Sequence, residues 1–324
     1  MQKSIFYGIL ITLLFVFGSL IYIAKKTFTK DFISVLFMAD KRYLLLSVFF
    51  MFLYHTFDNL RLFILSRAMN LKYSFAYGYV VSFINTFGAT VTPAHMGGEF
   101  MSVYTLSRKG GKLHKVMSVV TMKTLTGFSF FLVAFPFVLY QLYKNPAQSL
   151  RILAVFGFFF FLFLVFYVLI RFISRRKFRE NNSLTQKVKY TFKRYVVVSR
   201  IFLRDKKGSF LLACLSSIFL YVCFLASGAF LVKSFNAEPN MLLLIEHQLM
   251  LLYAIFVSPT PGGSGVGEVG ALYVFDAFLE LSLLGGFSLL WRFITQYASA
   301  IIGGILLALL LIKDSRGWSV GRPA

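Results

Sequence analysis

Six predominantly apolar stretches, at roughly 4–23, 43–64, 116–143, 151–170, 209–232 and 285–312, each reach the length of a bilayer crossing. At 1.5 Å per residue, a helix of ~20 residues covers a ~30 Å hydrocarbon core. Lipid offers no partner to a bare backbone amide, so runs of this length must close their hydrogen bonds internally, as helices. The chain is 58% hydrophobic and 14% charged. A soluble domain could not hide that much apolar surface. The expected fold class is therefore an all-α integral membrane protein with about six full crossings. The first run begins after Lys3, has no small-x-small cleavage site and continues into Lys25 and Lys26. The expectation is a retained anchor rather than a signal peptide.

The net charge of +22 raises the question of nucleic acid. Its distribution points elsewhere. Lys and Arg crowd the segment 171–207 against only Glu180 and Asp205, with no glycine–aromatic RNA motif and no zinc spacing. In a multi-pass protein such a loop first marks the cytoplasmic side and second meets anionic lipid heads. Counting crossings outward from it puts both termini in the cytoplasm of a cell-membrane protein. Segment 24–42 falls outside and, with five Lys or Arg near Asp31 and Asp40, reads as an interfacial helix. Cys214 and Cys223 share one helix and read as inert packing residues.

Two segments are apolar yet broken. Segment 73–106 is interrupted by Thr92-Pro93-Ala94-His95-Met96-Gly97-Gly98-Glu99, and its second arm is too short to span. Basic residues flank it on both sides, so it reads as a re-entrant hairpin from the cytoplasm. Segment 241–280 is interrupted by Ser258-Pro259-Thr260-Pro261-Gly262-Gly263-Ser264-Gly265-Val266-Gly267-Glu268 and reads as a hairpin from outside. Glu99 and Glu268 each follow a glycine, and 24 residues beyond each comes a cation, Lys123 and Arg292, with Thr126 and Thr295 three further on. The expectation is one membrane domain, 1–324, built from repeats at 43–143 and 209–312 in opposite orientation, as in many transporters.

An ionisable group inside a bilayer costs about 2.5–3.5 kcal/mol on insertion scales and usually faces an interior cavity. The candidates are His55, Asp58, Glu99, Lys123, Glu246, His247, Glu268 and Arg292. Two readings stand side by side. Lys123 pairs with Glu99 and Arg292 with Glu268, fixing the hairpins; or the cations, in opposite leaflets, receive a phosphate helped by glycine-rich breaks and half-helix N-termini. The glutamates would then be counter-charges or proton carriers. His55, Asp58 and Arg61 share one helix face, which either lines the cavity or lets Arg61 snorkel to the cytoplasm. His95, at a hairpin tip, is well placed to meet a ligand and has no partners for a metal. Glu246-His247 is either an interior pair or an interfacial one.

No Gly-x-Ser-x-Gly, His-Glu-x-x-His, P-loop or dinucleotide fingerprint occurs, so no catalytic residue, metal or cofactor is expected. Ser82-Phe83-Ile84-Asn85-Thr86-Phe87 followed by Pro93 and Gly97-Gly98-Glu99 resembles the first signature of the flippase-like family of lysylphosphatidylglycerol synthase transmembrane domains. Pro259 through Glu268 resembles the second, and Trp291-Arg292-Phe293-Ile294-Thr295 is similar to its aromatic-Arg segment. The likeness covers nearly the whole chain. It implies lipid handling, with Asn85 and the tip residues at the headgroup. Ser102 and Gly267 stand where arginines are common in the family, and Met122-Lys123 where an acid-Arg pair is common.

The leading expectation is an ATP-independent flippase or scramblase for an anionic phospholipid or polyprenyl-phosphate-type lipid. The alternatives are a phosphatidylglycerol lysyltransferase and a transporter of small anions or ions. The larger relatives carry a soluble acyltransferase. About a dozen residues follow Ile312, so the expectation is that this chain lacks one. The partners expected are membrane lipids and no nucleic acid.

Overall fold

The computed structural model describes residues 30–92, 95–144, 204–258 and 260–320, with the isolated positions 21, 25, 197, 200 and 202. The expected crossings at 4–23 and 151–170 and most of the basic loop lie outside the described residues, as do Pro93 and Pro259. Among the described residues every regular element is helical.

Helices begin where a side chain can take up an orphan amide. The short α1 (Lys30–Met38) gives way to α2 (Lys41–Ala68), whose N-cap Asp40 accepts from the Arg42 amide at 2.8 Å. Ser74 caps α3 (Phe75–Val91) through the Tyr77 amide. After the first break come α4 (Met96–Ser107) and α5 (Leu113–Lys144). The later half runs α6 (Lys207–Lys233) and α7 (Met241–Val257), the latter capped by Asn240 on the Leu242 amide at 2.9 Å. A 3₁₀ turn at Pro261–Gly263 fills the second break. Then come α8 (Val266–Phe275) and α9 (Leu281–Arg292), a π turn at Phe293–Tyr297 and α10 (Ala298–Val320).

Among the described residues four spans are long and apolar enough to cross a membrane: Lys41–Ala68, Leu113–Tyr140, Lys207–Lys233 and Leu281–Asp314. They coincide with four of the six stretches read from the sequence. Large apolar side chains cover the outside, Leu132, Phe137, Leu211 and Leu309 among them, as a surface solvated by acyl chains requires. The chain is a multi-pass membrane protein. Segment 24–42 contributes α1, which buries Phe32 and Val35 against α9 and sets the Phe32 ring edge-on to Phe293 at 5.3 Å.

Helix lengths recur. The order 28, 17, 12 and 32 residues over α2–α5 is followed by 27, 17 and 10 over α6–α8 and then the long run from Leu281. Packing follows the same plan. The two leading helices, α2 and α6, lie antiparallel, with Ser47 beside Ser227 and Arg61 beside Ser217. The α3–α4 pair packs on α10 of the other half, and α7 packs on α5.

Both helix pairs fold back on themselves, the first through close backbone approach and the second with glycines against side chains. A Cβ on Gly88 would lie 2.7 Å from the Gly97 carbonyl oxygen, and one on Gly98 2.9 Å from that of Asn85. Asn85 Nδ2 donates to Ser102 Oγ at 2.9 Å, and Tyr77 donates to the Thr105 carbonyl. In the second pair Gly270 lies against Leu251 and Gly263 against Ile255. The pairs are thus antiparallel and hinge at the two sequence breaks.

Candidate functional site

The two breaks meet. Gly262 has φ +58°, and a Cβ there would sit 2.9 Å from the Thr90 carbonyl oxygen. Gln296 Nε2 donates to Thr90 Oγ1 at 3.0 Å and ties the π turn to the end of α3. Beside this junction lies a cavity of about 200 Å³, walled by α2, α3, α5, α6, α7, the first tip and the π turn. Its polar lining includes Arg61, Asn85, His95, Glu99, Arg292 and Gln296. The remaining wall is largely aromatic and aliphatic. One wall residue, Phe256, is 40% exposed and packs edge-on against Phe128, itself 43% exposed.

The first tip is shaped by local chemistry. Thr92 Oγ1 donates to the Gly88 carbonyl and accepts the Gly97 amide, both at 2.7 Å, closing the end of α3 onto the start of α4. His95 takes the left-handed region, φ +58°, uncommon for a residue with a Cβ. Glu99 follows in the first turn of α4, where helix amides favour negative charge. Its Oε2 is buried with no hydrogen-bond partner among the described residues.

The π turn widens the last helical run immediately after Arg292. Such single-turn insertions re-aim side chains and recur at functional sites. Here Arg292, Thr295 and Gln296 all face the cavity. Arg292 is 1% exposed, and one of its terminal nitrogens donates to the Gly262 carbonyl at 2.6 Å. Its Nε lies 3.8 Å from Glu268 Oε1 and has no hydrogen-bond partner among the described residues. Glu268 in turn accepts the Gly265 amide at 2.6 Å, at the start of α8, and the Tyr297 hydroxyl. Gly267 makes room: a Cβ there would lie 2.8 Å from the Arg292 Cζ.

Lys123 does not pair with Glu99. Its Nζ lies 3.1 Å from Asp58, and the side chain does not line the cavity. Asp58 is shared, because Arg61 also donates to it at 2.7 and 3.0 Å and Ser82 at 2.6 Å. A carboxylate only accepts, so the Ser82 proton points at Asp58 and Ser82 must accept from His55 Nδ1, 3.0 Å away. A neutral His55 then accepts at Nε2 from Ser299, at 2.6 Å. This chain of bonds joins the Lys123 cluster to α10, seven residues past Arg292. Among the described residues the cations facing the cavity are therefore Arg61 and Arg292, with Lys123 buried behind Asp58.

Of the residues singled out from sequence, Arg61, Asn85, His95, Glu99, Arg292 and Thr295 line the cavity, while Asp58 and Glu268 hold its arginines. Gly97, Gly98, Gly262, Gly263, Gly265 and Gly267 shape the two breaks, with Pro261 opening the 3₁₀ turn. Glu246 and His247 lie off the cavity, His247 against Leu243 and edge-on to Phe278. Thr90, Gln296 and the buried Gln248 were not singled out. Their only signal was an amide or hydroxyl within an apolar helix. No cluster suited to a metal ion occurs among the described residues.

A family model described as the lysylphosphatidylglycerol synthase TM region matches residues 5–303. The chain is also similar to a UPF0104 membrane protein of Archaeoglobus fulgidus, 24% identical over 274 residues, which cover 79% of this chain and 82% of that one.

Proposed function

Because the chain belongs to the family of the lysylphosphatidylglycerol synthase transmembrane region, we propose that it moves a lipid with an anionic headgroup between leaflets without ATP. The headgroup enters the cavity between Arg61 and Arg292, while the acyl chains stay in the bilayer beside Phe256. The observation that carries this reading is the pair of arginines held at one cavity where two broken helix pairs meet. Arginine's planar fork matches a phosphate's oxygens, and the surrounding low-dielectric wall strengthens each bond.

In this reading α3–α4 and α7–α8 are re-entrant hairpins entering from opposite sides of a cell membrane, the basic loop and both termini being cytoplasmic. Their longest arm has 17 residues. At 1.5 Å per residue that is ~26 Å, short of the ~30 Å core. The recurring helix lengths and the exchange of packing between halves support an inverted repeat. The cavity's route to either leaflet then depends on which hairpin shifts.

Reconstitution tests the proposal. Vesicles containing the protein and a fluorescent phosphatidylglycerol are treated with a membrane-impermeant quencher. Exchange faster than in protein-free vesicles, and faster for phosphatidylglycerol than for phosphatidylcholine, is expected. Equal rates with and without protein across several anionic headgroups would refute it. Saturable uptake of inorganic phosphate with no lipid exchange would assign the cavity to a soluble anion instead.

A further inference from the structure

Among the described residues, the cavity and the ion pairs tied to it hold three cations and three carboxylates: Arg61 and Arg292 with Glu99 in the lining, Asp58 and Glu268 beside the arginines, and Lys123 behind Asp58. With histidines neutral, these charges balance. A phosphate headgroup would bring an extra negative charge into a low-dielectric enclosure, where an uncompensated charge is expensive. A proton arriving with it restores the balance.

The three carboxylates are not equivalent. Asp58 is held by Ser82, Arg61 and Lys123. Glu268 is held by the Gly265 amide and the Tyr297 hydroxyl, with Arg292 beside it. A proton on either would displace donors already in place. Glu99 Oε2 is buried and has no donor among the described residues. Several groups face Glu99 across the cavity: Arg61 and Tyr54 from α2, Tyr221 from α6, Arg292 before the π turn, and His95 at its own helix start. From the other packed elements α3 offers Asn85 and two threonines, α5 offers Thr124 with Lys123 turned to Asp58, and α7 is apolar there. An entering phosphate and an ionised Glu99 would compete for the same arginines and the same helix N-terminal turn.

We propose that Glu99 is a proton-binding site coupled to the headgroup: the carboxylate takes one proton from water as a phosphate monoanion enters, and returns it as the anion leaves. This rests on the headgroup reading above and makes the transported unit an anion with a proton.

Calorimetric titration of the detergent-solubilised protein in buffers of differing ionisation enthalpy reads the protons taken up per ligand bound. Dihexanoyl-phosphatidylglycerol and inorganic phosphate are the probes. For the lipid, uptake of about one proton is expected, with affinity strengthening about tenfold per unit fall in pH over the range of uptake. Glu99→Gln mimics the protonated carboxyl and should bind the lipid with no uptake and no pH slope. Glu238→Gln, on the exposed loop before α7, should keep the uptake. Lipid binding without proton uptake by the unaltered protein would overturn the coupling alone. So would uptake that persists in Glu99→Gln or disappears in His95→Gln instead. Uptake with phosphate but not with lipid would keep the proton site and overturn the lipid reading. A folded protein binding neither probe would remove both.

Discussion

At the residue scale the site depends on who shares whose charge. Among the described residues Asp58 alone neutralises Arg61 and Lys123, both buried. Asp58→Asn strips that shared partner, and breaking a buried pair costs about 3–5 kcal/mol. The unfolding midpoint in detergent should fall sharply, whereas Asp58→Glu should recover part of the loss. Gly267→Ala acts differently, because its Cβ would meet the Arg292 guanidinium at 2.8 Å. The expected result is a protein that still folds but exchanges lipid roughly tenfold more slowly, the loss of about one charge-assisted hydrogen bond. The sequence made each buried ion conspicuous but not its partner. Lys123 lies 24 residues past Glu99 and 65 past Asp58, and only the packing of α2 against α5 decides between them. The same limit hid Gln296, whose role appears only once Thr90 stands opposite it.

At the scale of elements, glycines mark where helices touch. A Cβ on Gly303 would fall 2.0 Å from the Phe83 carbonyl oxygen, so α10 lies directly on the backbone of α3. Small residues allow such close crossings in membranes, where packing replaces the hydrophobic effect. Gly285, in α9, has open space around its missing Cβ. Gly303→Ala should lower thermal stability, while Gly285→Ala should leave it unchanged or raise it by up to about 1 kcal/mol. At the second break, Gly262→Ala meets both a left-handed backbone, costing about 1–2 kcal/mol, and the Thr90 carbonyl. It should part the tips and slow exchange more than it lowers the unfolding midpoint. Run lengths and Pro/Gly clusters made the spans and the breaks legible in the sequence, because both follow from local backbone chemistry. The π turn was not legible: Phe293–Tyr297 holds no proline or glycine, and its widened ring of hydrogen bonds depends on tertiary packing.

At the scale of the molecule, two runs of similar helix lengths pack through exchanged contacts and bring two tips to one cavity. The order of spans and breaks could be read in one dimension. The meeting of the tips could not, since 206 residues separate Thr90 from Gln296. Nor could the choice between a cavity-lining and a snorkelling Arg61, or the withdrawal of Lys123 from the wall, both of which follow from α2 placing Asp58 between the two cations. The central claim is that a headgroup occupies this cavity while its chains remain outside. Photocrosslinking in reconstituted vesicles tests it most directly, using phosphatidylglycerol with a photoreactive group on its terminal glycerol. Mass spectrometry should find adducts on peptides carrying Arg61, His95 or Gln296, diminished in the Arg292→Ala variant. Adducts confined to the outer surface, around Leu132, Phe137 and Leu309, with the interior peptides unmodified, would contradict it.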